Sequence, residues 1–231
     1  MKHQIITTGI VLTRTDFQEA DRILTLLTPD NGKLRVIAKG VRRQRSKLAG
    51  GIELFSVSDV TVLPGRGELG TLVSTRLKTH YGDIVTDINR TMLGYDLLKR
   101  MNRLTEDAAG EEYFHLLQAG LNGLNDLSLS AELVELWFTM QLLRITGHAP
   151  NLKTDNKDHK LEADKQYLFD FDAMAFGKQD NGPYAANHIK LMRLGYGIEA
   201  PEVLKQIKDA AANAPVVLKL AKNILQLHVR V

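Results

Sequence analysis

Five short runs rich in Val, Ile, Leu and Thr occupy the first eighty residues of this 231-residue chain, and they constrain its fold more than any other feature. They lie at Ile5 to Thr13, Arg22 to Leu27, Lys33 to Ala38, Phe55 to Leu63 and Leu69 to Leu77, with Pro and Gly between several of them, and each reads as a β-strand. Pro29-Asp-Asn-Gly32 supplies residues that tolerate positive φ, which predicts an antiparallel hairpin between the second and third runs. Side chains alternate along a strand, so Lys33 and Arg35 should share one face and Leu34 and Val36 the other. Pro64-Gly65-Arg66-Gly67-Glu68 joins the fourth and fifth runs in the same manner. Five short strands in so small a span suit a closed barrel. The OB-fold is the five-stranded barrel most often used to hold nucleic acid, although an SH3-like barrel reads almost the same.

From Tyr81 onward the hydrophobic period changes to that of a helix. Ile84, Val85, Ile88, Met92, Tyr95 and Leu98 fall at helical spacing, as do Leu133, Leu136, Trp137, Met140 and Leu143 between Ser130 and Thr146, where Gly147 is a natural stop. Glu111 to Leu124 reads as another helix. Pro183 to Leu194, Pro201 to Ala212 and Pro215 to Val229 each open on a proline suited to a first helical turn. A polar segment, Asn151 to Gly182, interrupts the helices, and within it only Gln166 to Phe171 looks like a strand. The expected fold class is therefore α+β: an N-terminal OB-fold barrel over residues 1–80, then a mainly helical domain over 81–231 with a small β-containing insert at about 151–182.

Charge is distributed unevenly over this plan. Residues 1–80 hold 13 Lys/Arg against 7 Asp/Glu, whereas residues 81–231 hold 17 against 20. The excess concentrates in Gly32 to Lys47, where Lys33, Arg35, Lys39, Arg42, Arg43, Arg45 and Lys47 are basic and no residue is acidic. Like charges this close repel one another, and a polyanion relieves the repulsion. A loop that merely solvates the barrel is the bland alternative, but this run is internal and follows a strand. The pattern points to phosphate contacts, with Arg66 at a hairpin tip, and Arg76 and Lys78, as weaker candidates. Phe17, Phe55 and Tyr81 are the only aromatics in or beside the barrel, so phosphates rather than stacked bases should dominate. Two other readings share the charge argument: an RNA-binding barrel, and a scaffold whose basic barrel meets an acidic protein tail.

Other chemistry finds little support. The chain has no cysteine, which excludes disulfides, thiolate metal sites and a cysteine nucleophile. Gly65-Arg-Gly67-Glu-Leu-Gly70 matches a dinucleotide fingerprint in letters only, because a strand rather than a helix follows it. Asp155, Asp158, His159 and Asp164 are interleaved with Lys153, Lys157, Lys160 and Lys165, which leaves a nearly neutral field and argues against a cation site. Trp137 sits at helical spacing among apolar residues and reads as core. No P-loop, zinc-protease or nucleophile-elbow motif occurs, and the expectation is a protein that is not an enzyme and needs no cofactor. Without a signal-peptide pattern or a long apolar run, the expected location is the cytoplasm.

Several short motifs, taken in order, match a known family. Gly9-Ile-Val-Leu12, Glu19-Ala-Asp-Arg22-Ile-Leu-Thr-Leu, Gly32-Lys33-Leu, Ala38-Lys39-Gly40-Val-Arg42-Arg43, Ser46-Lys47-Leu-Ala-Gly50 and Gly65-Arg66-Gly67-Glu-Leu resemble the RecO family of bacterial DNA repair proteins. Beyond residue 80 the likeness fades to pattern, with Gly147-His148-Ala-Pro150-Asn-Leu152 where the family has a comparable turn. The resemblance implies a nucleoid-associated recombination mediator that binds single- and double-stranded DNA and anneals complementary strands. It also implies work with RecR to load the recombinase RecA on DNA coated by single-strand-binding protein. Many members hold zinc with paired cysteines just after that turn, where this chain reads Lys153-Thr-Asp155-Asn-Lys157-Asp158. Either the insert is held by packing instead, or the second domain has diverged.

Overall fold

The computed structural model describes residues 4–105 and 109–229, which form two compact units, 1–126 and 127–231. In the first, β1 (Ile5–Phe17), β2 (Asp21–Thr28), β3 (Gly32–Ala38), β4 (Ser56–Leu63) and β5 (Leu69–His80) close a barrel in the order β1-β2-β3-β5-β4. All five strands fall where the alternation predicts them. β1 closes the barrel by changing partners: Ile5 to Ile10 pair with β4, and Ile10 to Phe17 pair with β2. An irregularity between Val11 and Thr13 supplies the local bend. β3 and β5 run parallel through Arg35–Leu69 and Ile37–Thr71. Val11, Leu24, Leu26, Val36, Val60 and Leu72 fill the interior.

Two helices complete this unit, α1 (Ile88–Leu104) and α2 (Glu111–Asn125). Asp87 caps α1 by accepting from the Arg90 backbone N–H. Of the helical stripe expected from the sequence, Ile84 and Leu98 are buried, but Val85, Ile88, Met92 and Tyr95 face solvent. The helix instead buries Gly94, Leu97, Leu98 and Met101. Gly94 explains the rotation: the Phe55 ring lies against it, and a Cβ there would stand 2.8 Å from a ring carbon. Phe55 itself adopts a positive φ of 56° and passes its carbonyl to the Tyr81 N–H at 2.9 Å. Both helix C-termini are held by cations. Lys33 Nζ donates to the carbonyls of Asn102 and Thr105, at 3.0 and 2.5 Å, and Arg90 donates to those of Leu124 and Asp126.

The second unit is built on α3 (Ala131–Ile145), which Ser130 caps and whose length is almost wholly buried. α4 (Ala186–Gly197) and α5 (Ala210–His228) pack on it. Trp137 is core, as expected, and its ring N–H donates to the Ile198 carbonyl at 3.1 Å. Gln141 donates to Gly195 and Ile198, so α3 satisfies the open end of α4. All three proline-opened helices differ from the expectation: Pro183 precedes a short strand, Tyr184–Ala185, and α4 opens only at Ala186. Pro201–Gln206 is a single 3₁₀ stretch, and α5 begins five residues before Pro215, which therefore lies inside it. The alanine-rich start Ala210-Ala-Ala outweighs the proline signal there.

The insert holds more strand than its sequence suggests. β6 (Asn151–Asp155), β7 (Gln166–Asp170), β8 (Ala175–Lys178) and β9 (Tyr184–Ala185) form a four-stranded sheet in the order β6-β8-β7-β9. Tyr167, Phe169, Phe176 and Tyr184 give it an edge-to-face aromatic core, with Phe176 in contact with each of the other three.

Candidate nucleic-acid interface

The basic run divides into a strand and a loop. On β3 the alternation puts Val36 and Ala38 inside the barrel and leaves Arg35 exposed, paired through the backbone with Thr25 of β2 and Leu69 of β5. After Ala38 the chain turns at Gly40, where φ is 64°, and its N–H donates to Asp21 Oδ1 at 2.7 Å. Val41 then plunges into the core at 4% exposure, and the Arg42 N–H bonds the Ala20 carbonyl at 2.9 Å. Further along, Ser46 N–H bonds Arg43 O, and Leu48, Ala49 and Ile52 return to the core. The loop is thus pinned at both ends by apolar anchors. Lys39, Arg42, Arg43, Arg45 and Lys47, carried between or beside these anchors, are all exposed.

Not every basic residue singled out in the sequence belongs to this group. Lys33 shares the outer face with Arg35, but its ammonium is spent on the end of α1, so it is a structural cation rather than a free one. Arg66 is exposed on the β4–β5 hairpin. Arg76 and Lys78 stand on the β4–β5 surface, where Asp59 pairs with Lys78 at 3.2 Å and lies opposite Arg76 in register. Asp59 partly neutralises that surface, whereas the loop carries five cations in nine residues, Lys39 to Lys47, and no acid.

Besides Asp21, which holds the Gly40 N–H, a further acid faces the loop's side chains, and sequence reasoning passed over it. Asp16, near the β1–β2 turn, accepts from Arg22 Nε at 2.8 Å and lies 3.6 Å from Arg42 Nε. The Arg22 hydrogen bond, with help from Arg42, holds its carboxyl below the usual carboxylate range. An acidic residue at a strand end is commonplace, so nothing in the sequence marked it. Of the three barrel aromatics singled out in the sequence, Phe55 and Tyr81 are each 2% exposed and Phe17 reaches the surface; Tyr95 of α1 is also exposed, with its ring edge against Phe55. The surface can therefore bind phosphates and offers little to stack bases on.

The insert does not fit the zinc ion that the family resemblance implies. There are no thiolates, and among the described residues no three of His, Cys, Asp and Glu gather as a ligand set. The nearest carboxylates are already engaged: Asp155 Oδ1 accepts from the Lys157 and His159 N–H groups, and Asp170 Oδ1 from those of Asp172 and Ala173. The aromatic core does the holding instead.

A closed OB-type barrel with a cationic loop, followed by helices and a small sheet, defines an α+β protein of the OB-barrel class. The family model described as Recombination protein O N terminal matches residues 1–81, and that described as Recombination protein O C terminal matches residues 86–230. The chain belongs to the RecO family, proteins of DNA repair and recombination. It is 32% identical over 168 residues to a DNA repair protein RecO from Dehalococcoides mccartyi strain 195, a stretch spanning 72% of this chain and 66%, just under two thirds, of that protein. A second relative of that name, from Dehalococcoides mccartyi strain CBDB1, is 27% identical over 227 residues, spanning 96% of this chain and 85% of the relative. A third, from Streptomyces avermitilis, is 37% identical over 152 residues, 62% of this chain and 61% of its own length. The family models divide the sequence near residue 85, whereas α1 and α2 pack in one compact unit with the barrel, which ends at 126.

Proposed function

We propose that this chain is a non-enzymatic recombination mediator that binds single- and double-stranded DNA through the β3–β4 loop and anneals complementary strands. In this reading it works in the bacterial cytoplasm with RecR and single-strand-binding protein to help load RecA on coated DNA. The observation that carries the DNA-binding part is the loop itself. Buried Val41 and Ile52 anchor it, so Arg42, Arg43, Arg45 and Lys47 are held outward on a rigid base, with Lys39 and Arg35 beside them. Cations held in this way neutralise phosphates without the entropic cost of ordering a free tail. Two strands that repel each other in solution can then approach, and pairing supplies the remaining free energy. No bond is made or broken, so no catalytic residue is required. The partners come from the family resemblance.

Strand annealing by the purified protein, with and without single-strand-binding protein, tests the proposal. Faster annealing of both bare and coated strands is expected; a rate equal to that of the strands alone would sink it. Competition between DNA and RNA oligonucleotides at one salt concentration separates a DNA mediator from an RNA-binding barrel.

A further inference from the structure

The second unit contains a cationic cavity of about 630 Å³ under the Gly147–Pro150 turn. Arg144, from the last turn of α3, Lys153 of β6 and Arg193 of α4 line it, with Pro150, Leu152 and Tyr196 forming its apolar part. No carboxylate lines it. Residues 127–231 hold 13 Lys/Arg against 12 Asp/Glu, so three unopposed cations around one cavity are a local feature and not a general excess. Arg144 and Lys153 are exposed and make no ion pair among the described residues. Arg193 Nε donates to the Leu152 carbonyl at 2.7 Å, which fixes the guanidinium plane and leaves its terminal nitrogens for a ligand.

The surroundings discriminate between anions. A peptide's terminal carboxylate is usually captured by a nest of backbone N–H groups. Here those groups are taken: Lys153 N–H and Thr154 N–H donate to Asn151 Oδ1, and Asn151 N–H to the Met174 carbonyl. Recognition falls to guanidinium and ammonium side chains, and three of them around one cavity suit the several oxygens of a phosphate better than the two of a single carboxylate. The volume lies in the range of small-ligand pockets and admits a nucleotide unit.

We propose that this cavity takes a phosphate of a DNA strand, with its sugar and base against Pro150, Leu152 and Tyr196. The chain then has two phosphate-binding sites, the loop for one strand and the cavity for the other. This rests on the reading above that the chain binds DNA. The variant Arg144→Ala/Lys153→Ala tests it, because it leaves the Arg193–Leu152 hydrogen bond in place and thermal unfolding can verify its fold. Losing two single-strand phosphate contacts near 0.1 M salt weakens the second site about 25-fold. Annealing of complementary oligonucleotides should therefore slow at least about tenfold, while binding of one dT oligonucleotide by the loop changes less than about threefold. In the Arg42→Ala/Arg43→Ala/Arg45→Ala background, residual oligonucleotide binding should remain through Arg35, Lys39, Lys47 and the cavity, and should weaken severalfold further when Arg144 and Lys153 are also replaced.

Annealing at the parental rate, or residual binding indifferent to Arg144 and Lys153, overturns the proposal while leaving loop-mediated binding intact. A parent protein that binds no oligonucleotide overturns both. An acidic, apolar-ended peptide that binds the parent, is lost in the cavity variant and resists displacement by oligonucleotide would reassign the cavity to a protein partner and overturn the proposal.

Discussion

Removing three arginines from the β3–β4 loop gives the sharpest quantitative expectation. Six exposed cations belong to the strand and loop: Arg35, Lys39, Arg42, Arg43, Arg45 and Lys47. If all six meet single-strand phosphates, log K against log salt has a slope of about −4, and affinity falls on the order of 300-fold between about 50 and 200 mM salt. Arg42→Ala/Arg43→Ala/Arg45→Ala leaves three contacts, a slope of about −2 and a fall of roughly 20-fold over the same range. The loop backbone should not move, because its anchors are Val41, Leu48 and Ile52, not the arginines. Of the three, Arg42 alone has an acidic partner among the described residues, Asp16, and that contact is exposed and long at 3.6 Å. The thermal midpoint should therefore stay within about 2 °C of the parent. Fluorescence anisotropy with labelled dT oligonucleotides over a salt series, alongside calorimetry, measures both quantities. An unchanged slope, or a slope change that comes with a large drop in the midpoint, would refute the separation of anchor from charge.

Four further outcomes are expected. Lys33→Ala should cost about 1–2 kcal/mol of stability, because the α1 carbonyls lose a charged donor, while the salt slope stays parental; urea unfolding and anisotropy check the two halves. Phe176→Ala should cost about 3–5 kcal/mol and melt the insert's sheet, read by near-ultraviolet circular dichroism, whereas a chelator should leave the parent's midpoint where it is. Asp16→Asn should tighten DNA binding at neutral pH by freeing Arg42. Since the folded-state pKa of Asp16 is depressed, its ties to Arg22 and Arg42 are intact at neutral pH and fade as the pH falls through that lowered value, so variant and parent should converge in acid. Tyr196→Phe should leave stability unchanged or raise it by up to about 1 kcal/mol, because the hydroxyl is buried without a hydrogen-bond partner among the described residues; thermal unfolding decides.

The barrel was legible because its signal is local. Alternation and turn residues within a few positions fix each strand, and the Asn31-Gly32 turn fixes the β2–β3 register from Thr28–Gly32 to Arg22–Ala38. The insert's sheet was not, since β9 has two residues and β8 four, too short for a period to register. Proline misled at Pro215, where the five preceding helix-tolerant residues carried the start upstream. At the site, the charge of Lys33 was plain but its task was not: its partners lie 69 and 72 residues away, and only folding brings them together. The cavity around Arg144 and Arg193 draws on α3, β6 and α4, so no window of sequence contains it.

The contact between Phe55 and Gly94 bears on how this molecule can be divided. A fragment ending at His80 would retain every strand of the barrel, yet Phe55 would lose the glycine it lies against, Tyr95 would no longer edge its ring, and Lys33 would have no carbonyls to hold. The natural scissor point for a free-standing barrel piece lies after Asp126, so α1 and α2 travel with the barrel as part of its foundation.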